Sequence, residues 1–290
     1  MQPEGTMTTT PAAATSTARQ ERWQRFRANR NKALAAPYGW LTLTSFQWLE
    51  DSPATVDLVP GLWSTDGTDS APATTAFLTA TASDGLTLVE SGEKVEGTIS
   101  AVLADEESLM WVQFGGPEGN QVVVELAMRG GRYAVRTRDA ASPVFTGFEG
   151  VPTYPYNPEW EVVGRFEPYP APVDVPIGTA NPLVDGMHRS VGEVVFRLPG
   201  SRHEFRLQAE EEKLGALTVT FHDETNGDTT DDWRKLSLPR PRPDGSVVLD
   251  FNRTINYPSA FTPYGTCPMP VKNNSLDIRV EAGEKQPYPA

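Results

Sequence analysis

Residues 122–138, VVVELAMRGGRYAVRTR, decide the fold class. Val122, Val124, Leu126 and Met128 alternate with Val123, Glu125 and Ala127, a period of two that puts the two sets on opposite faces of an extended chain. Beyond Gly130 and Gly131 the same parity puts Tyr133 and Val135 on one face and Arg132, Arg136 and Arg138 on the other. The arginine face is expected to meet solvent. Alternation of this kind, bounded by turn residues, is the pattern of an antiparallel sheet.

The pattern extends outward over residues 37–151, where Leu41 and Leu43 alternate with Thr42 and Thr44 and Gly-, Asp- or Ser-rich turns separate the runs. This is read as a first β half. Ahead of it, Trp23, Phe26, Arg30 and Leu34 recur at helical spacing, with Thr17 and Gln20 resembling a capping box, so residues 17–36 are expected to form a helix ended by Pro37. It carries six basic residues (Arg19, Arg22, Arg25, Arg27, Arg30, Lys32) against one acid, Glu21. Its apolar residues are expected to pack on the body while the arginines pair with acidic groups there. Residues 1–16, rich in Thr, Ala and Pro without periodicity, are expected to be a disordered tail.

Residues 152–173 interleave prolines with Tyr154, Tyr156, Trp160, Phe166 and Tyr169 around one strand, Trp160–Phe166. Those rings need partners, so an ordered seam is expected rather than a floppy linker. Strands resume over 174–290, the second β half. The fold expected is mainly β: an antiparallel β-sandwich or partly open barrel in two halves, with an N-terminal helix.

A chain of 290 residues with formal net charge −13 repels nucleic acid and anionic membranes, so neither is an expected partner. No apolar run approaches the roughly 20 residues of a spanning helix. Cys267, the single cysteine, forbids an internal disulfide and any CxxC zinc site, and the first 20 residues lack a charged-then-apolar leader. A cytoplasmic location is expected. The three histidines, His188 in a Gly- and Pro-flanked loop, His203 at the core rim and His222 facing away from Leu217, Val219 and Phe221, are too scattered for a first shell. Neither a metal nor another cofactor is expected. GxSxG, GxxxxGK[ST], GxGxxG after a strand, HExxH and the EF-hand loop are all missing.

The C-terminal quarter holds the candidate chemistry. Parity puts Arg234 on the apolar face with Leu236 and Leu238, where a guanidinium needs a carboxylate or a bound anion. Asp223 closes the strand LTVTFHD within reach, next to His222; Asn252 ends the strand SVVLDFN on its polar face with Asp250; Asn256 is held by Pro258. The loop from Asn252 to Asn274 carries four prolines and the side chains of Phe261, Tyr264, Cys267 and Met269, so it must be pinned to the body, as a plug or a ligand-contacting lid.

FHDETNG (221–227), LDFNRTINYPSAFTPYGTCPMP (249–270), NNSL (273–276) and AGEK (282–285) resemble the signature of a bacterial and archaeal family known only as domain-of-unknown-function family 1684. GWLTL, RGGRYAVRTRD and FEGVPTYPYNPEW extend the resemblance over roughly residues 23–285. It implies neither activity nor cofactor. Where the family pattern resembles NPxCAFxxYATCP, Ser259 replaces the first cysteine and Cys267 keeps the second; a tyrosine expected shortly before Arg234 is replaced within DDW. A two-cysteine metal or redox site would therefore lack a member here.

Two functions follow as expectations. One is an enzyme or sensor for a small anionic metabolite, with Arg234 as anion anchor, Asp223 or His222 as acid/base, and Asn252 and Asn256 orienting the ligand. The other is a non-catalytic binding or structural module in which Arg234 belongs to an internal ion pair with Asp250. A nucleophile at Ser259 or Cys267 is a third reading, for which nothing nearby in sequence would lower the thiol pKa. Oligomeric state is not legible.

Overall fold

A computed structural model describes residues 11–68, 71–116 and 121–287. The chain is mainly β, with three antiparallel sheets and an N-terminal helix. In the first half, strands Val122–Arg129 and Arg132–Asp139 pair from Val122 opposite Asp139 to Arg129 opposite Arg132. Leu43–Trp48 flanks this pair on one side, with Ser108–Phe114 and then Thr87–Leu88 on the other. A second sheet, Ala54–Val56, Val59–Thr65, Ala76–Ala80 and Gly97–Ala101, stacks against it. Trp63 and Leu78 from one sheet meet Leu126, Tyr133 and Val135 from the other, and all are essentially inaccessible to water. This half is a sandwich.

The second half is one curled sheet in the order Ser246–Asp250, Glu161–Ile177, Gly186–Phe196, Phe205–Glu211, Leu217–Asp223, Arg234–Leu238 and Ile255–Asn256. Its inner face wraps a core containing Val194, Leu207, Val219, Phe221, Leu249 and Phe251. Strand 246–250 returns alongside 234–238, yet no ladder joins them among the described residues. That edge of 234–238 pairs instead with Ile255–Asn256, Arg234 opposite Asn256 and Lys235 opposite Ile255, so the barrel stays open along the rest of the seam.

The helix spans Pro11–Leu34 rather than 17–36. Ala12 to Ala14 are strong helix formers and Pro11 fits a first turn, so the expected tail is helical from residue 11; residues 1–10 lie outside the described residues. Leu34 joins Leu41, Val151 and Phe261 in a small third cluster where helix, first half and the 252–274 loop meet.

Four local expectations are corrected. The strand beginning at Glu161 runs past Phe166 to Ile177, with its register broken between Pro168 and Val173. Its far end pairs Val175 with His188, so His188 lies in a strand and is buried, not in a loop. His203 is exposed, its Nε2 lying 3.1 Å from Asp277 Oδ1. Arg136 and Arg138 are buried, not solvated: the 252–274 loop covers part of that face, and Arg136 Nη2 donates to Thr266 Oγ1 at 3.2 Å.

Candidate functional site

Arg234 does point inward, as parity predicts, and is 0% exposed. Its Nη2 donates to Asp223 Oδ2 at 2.6 Å and to the Val280 carbonyl at 2.9 Å; Nη1 donates to the carbonyls of Ala282 and Glu284 at 2.7 and 3.1 Å. Asp223 Oδ1 accepts from the Thr225 amide and hydroxyl and from the Val280 amide. The partner is Asp223, not Asp250, because Phe221 lies opposite Arg234 in the ladder and Asp223 follows two residues later on the same face. Asp250 instead caps the turn after its strand, accepting from the Asn252 amide and Nδ2.

The other expected residues are placed as follows. His222 Nδ1 lies 2.8 Å from the Asp232 carbonyl, which can only accept, so Nδ1 carries the proton in that contact. Asn252 exchanges hydrogen bonds with the backbone of Asn157, while its own carbonyl accepts from Trp23 Nε1 at 2.9 Å. Asn256 donates its amide to Glu284 Oε2 at 2.7 Å and its Nδ2 to the Lys285 carbonyl; its carbonyl accepts from Arg30. Arg234 and Asn256 thus meet at Glu284 in one polar network, while Asn252 is apart from it, bonded to Asp250, Asn157 and Trp23.

Glu284 is the centre of that network, and sequence reasoning passed over it. It is 0% exposed, and its Oε1 accepts from Arg27 Nη1 at 2.6 Å and Arg30 Nε at 3.1 Å. The only hint was its place in the AGEK block. On the first half a similar cluster forms around Glu125, whose Oε1 accepts from Arg136 Nη1 at 3.2 Å and whose Oε2 accepts from Arg138 Nε and Nη2 at 2.8 and 2.5 Å. Burial alone would raise the Glu125 pKa; Arg138 and Arg136 outweigh it and hold the carboxyl below its ordinary range.

Cys267, within the 252–274 loop, is buried, and burial pushes its thiol pKa up, against the Ser259 amide and Arg136, which lower it. A raised pKa is the reverse of what a thiolate nucleophile needs. Among the described residues no group of three or more His, Cys, Asp and Glu is placed to hold a metal ion. No helix of the described chain is long and apolar enough to cross a membrane.

An open concavity lies where the N-terminal helix crosses the barrel seam. A groove of about 420 Å³ is lined by Arg19, Arg22, Trp23, Arg25, Phe26 and Arg253, with Glu161 and Asp250 below. A second, of about 450 Å³, shares Arg22, Phe26, Glu161, Asp250 and Arg253 and continues between the seam strands. Both acids are engaged, Glu161 with Arg19 at 3.5 Å and Asp250 with Asn252. Arg22, Arg25 and Arg253 have no carboxylate partner among the described residues; Arg253 stacks over Phe26 at 4.4 Å. The Tyr156 hydroxyl is buried without a hydrogen-bond partner among the described residues, and burial first, then Glu161 and Asp250, raise its pKa. These residues are too far apart in sequence for any local pattern to join them.

Residues 146–285 match the family model described as protein of unknown function (DUF1684), and this part of the chain belongs to that family. An uncharacterised protein of Haloarcula marismortui, with a solution NMR structure, is similar at 26% identity over 48% of this chain and 78% of that one, with a TM-score of 0.40. No curated protein matches the chain.

Proposed function

We propose that the protein is a non-catalytic module that binds a small anion in the groove between the N-terminal helix and the barrel seam. The observation that carries this reading is that Arg22, Arg25 and Arg253 surround one concavity without a carboxylate partner among the described residues, on a chain of net charge −13. Arginines without a protein acid, close to an apolar wall, suit the charge-assisted, bidentate recognition of carboxylate or phosphate. In this reading Arg234 and Asp223 are architecture. The acid/base roles considered for Asp223 and His222 have less support, since the oxygens of the first and Nδ1 of the second are already engaged.

Thermal melts in phosphate, acetate and chloride at matched ionic strength test the reading. Phosphate at 100 times its dissociation constant would stabilise by about 2.7 kcal/mol. The shift should disappear in the triple variant R22Q/R25Q/R253Q. A wild-type melt that no anion moves beyond chloride overturns the proposal.

A further inference from the structure

The two concavities are one continuous trough whose ends differ in chemistry. The first end has Arg19, Arg22, Arg25 and Arg253, four positive charges against Glu161 and Asp250, a surplus of two. The second end shares Arg22, Phe26, Glu161, Asp250 and Arg253 and adds Ser237, Leu238, Pro239, Val248 and Ile255 along the seam between strands 234–238 and 246–250. Phe26, Val248 and Ile255 are half-buried, so their accessible faces form a wall rather than a filled core. The apolar residues are what the second end adds to the charges that both ends share.

We infer that the ligand is an amphipathic phosphate monoester, its phosphate held by Arg22, Arg25 and Arg253 and its alkyl part lying in the barrel seam against Phe26, Val248 and Ile255. This rests on the anion-binding reading above and adds the class of ligand. A phosphate monoester carries close to two negative charges at neutral pH and so matches the surplus. No ladder joins 234–238 to 246–250 among the described residues, which leaves room for an unbranched chain beside Val248. The acidic body disfavours an anionic bilayer as the source, so the ligand is a soluble metabolite.

The experiment is calorimetric titration of the full chain with inorganic phosphate and with ethyl, butyl and hexyl phosphate, alongside flotation with vesicles containing phosphatidate. Affinity should rise about two- to fourfold per added methylene. In V248Q/I255Q, melted first to establish that it folds, the slope relative to that variant's own inorganic phosphate affinity should flatten. Vesicles should not bind. Phosphate binding without a chain-length slope overturns the alkyl assignment and leaves the anion reading standing. Absence of all binding overturns both. A slope unchanged in V248Q/I255Q removes the chain from the seam, and vesicle binding overturns the soluble source.

Discussion

Two glutamates, Glu125 and Glu284, are each gripped by a pair of arginines, and the scaffolds that hold those arginines could hardly differ more. Arg136 and Arg138 sit two residues apart on one face of a central strand, with Glu125 directly opposite Arg136 in the next strand. None of the three can leave without dismantling the sheet. Arg27 and Arg30 sit one turn apart on a helix and reach Glu284 across the surface of the other half. These arginines can return to water if the helix lifts. A buried ion pair contributes little net stability, but removing one partner is costly when the survivor cannot rehydrate. Identical chemistry should therefore produce a global penalty in one place and local release in the other.

Replacing Glu125 by Gln should cost about 3–5 kcal/mol, because it strands two arginines in the sheet. Denaturant unfolding followed by circular dichroism measures it, and a loss under 1 kcal/mol would break the contrast. Arg234 belongs to the rigid class too. Arg234→Met leaves Asp223 uncompensated and should cost a similar 3–5 kcal/mol, recovered in part by the double variant with Asp223→Asn. A neutral or stabilised Arg234→Met would instead favour Arg234 as a ligand anchor.

Glu284→Gln should cost less, about 1–3 kcal/mol, with a different signature. Hydrogen exchange should accelerate over residues 17–34 while the strands around Glu125 keep their protection. Uniform acceleration would erase the distinction. The smallest effect concerns an acid without an arginine: burial, then the charge of Asp232, raise the Asp231 pKa to about 6, partly opposed by the Asp232 amide. Because the folded state holds that proton more tightly than the unfolded chain, stability falls as pH rises from about 4 to about 6, and the penalty persists above. Asp231→Asn should be more stable than wild type by about 1 kcal/mol at pH 7, after allowing for solvent screening, and no different below pH 4.

The alternation in 122–138 was enough to find the first sheet and its register-bearing strands. Parity also found that Arg234 faces inward. It failed at Arg136 and Arg138 because alternation separates two faces without saying which is wet, and the cover over that face is a loop more than 110 residues away in sequence. Asp223 was named as an acid/base candidate because it closes a strand, yet its partner could be assigned only once the ladder fixed Phe221 opposite Arg234. Glu284 lies in a segment with no period, so nothing local distinguished it. The groove was illegible for the same reason: Arg22 and Arg253 meet only once the helix docks, with Trp23 on the Asn252 carbonyl and Arg27 and Arg30 on Glu284.

The bond from Arg27 to Glu284 spans 257 residues, and that separation is also an interval of time. At about 5–20 residues per second, residue 284 is polymerised on the order of 10–50 s after the helix has left the ribosome. Throughout that interval Trp23 and Phe26 have no barrel to lie on, and Arg27 and Arg30 have no carboxylate. The helix is made before every other described element yet cannot reach Glu284 until residue 284 exists, so the nascent chain carries a cationic, aromatic segment unattached throughout that interval.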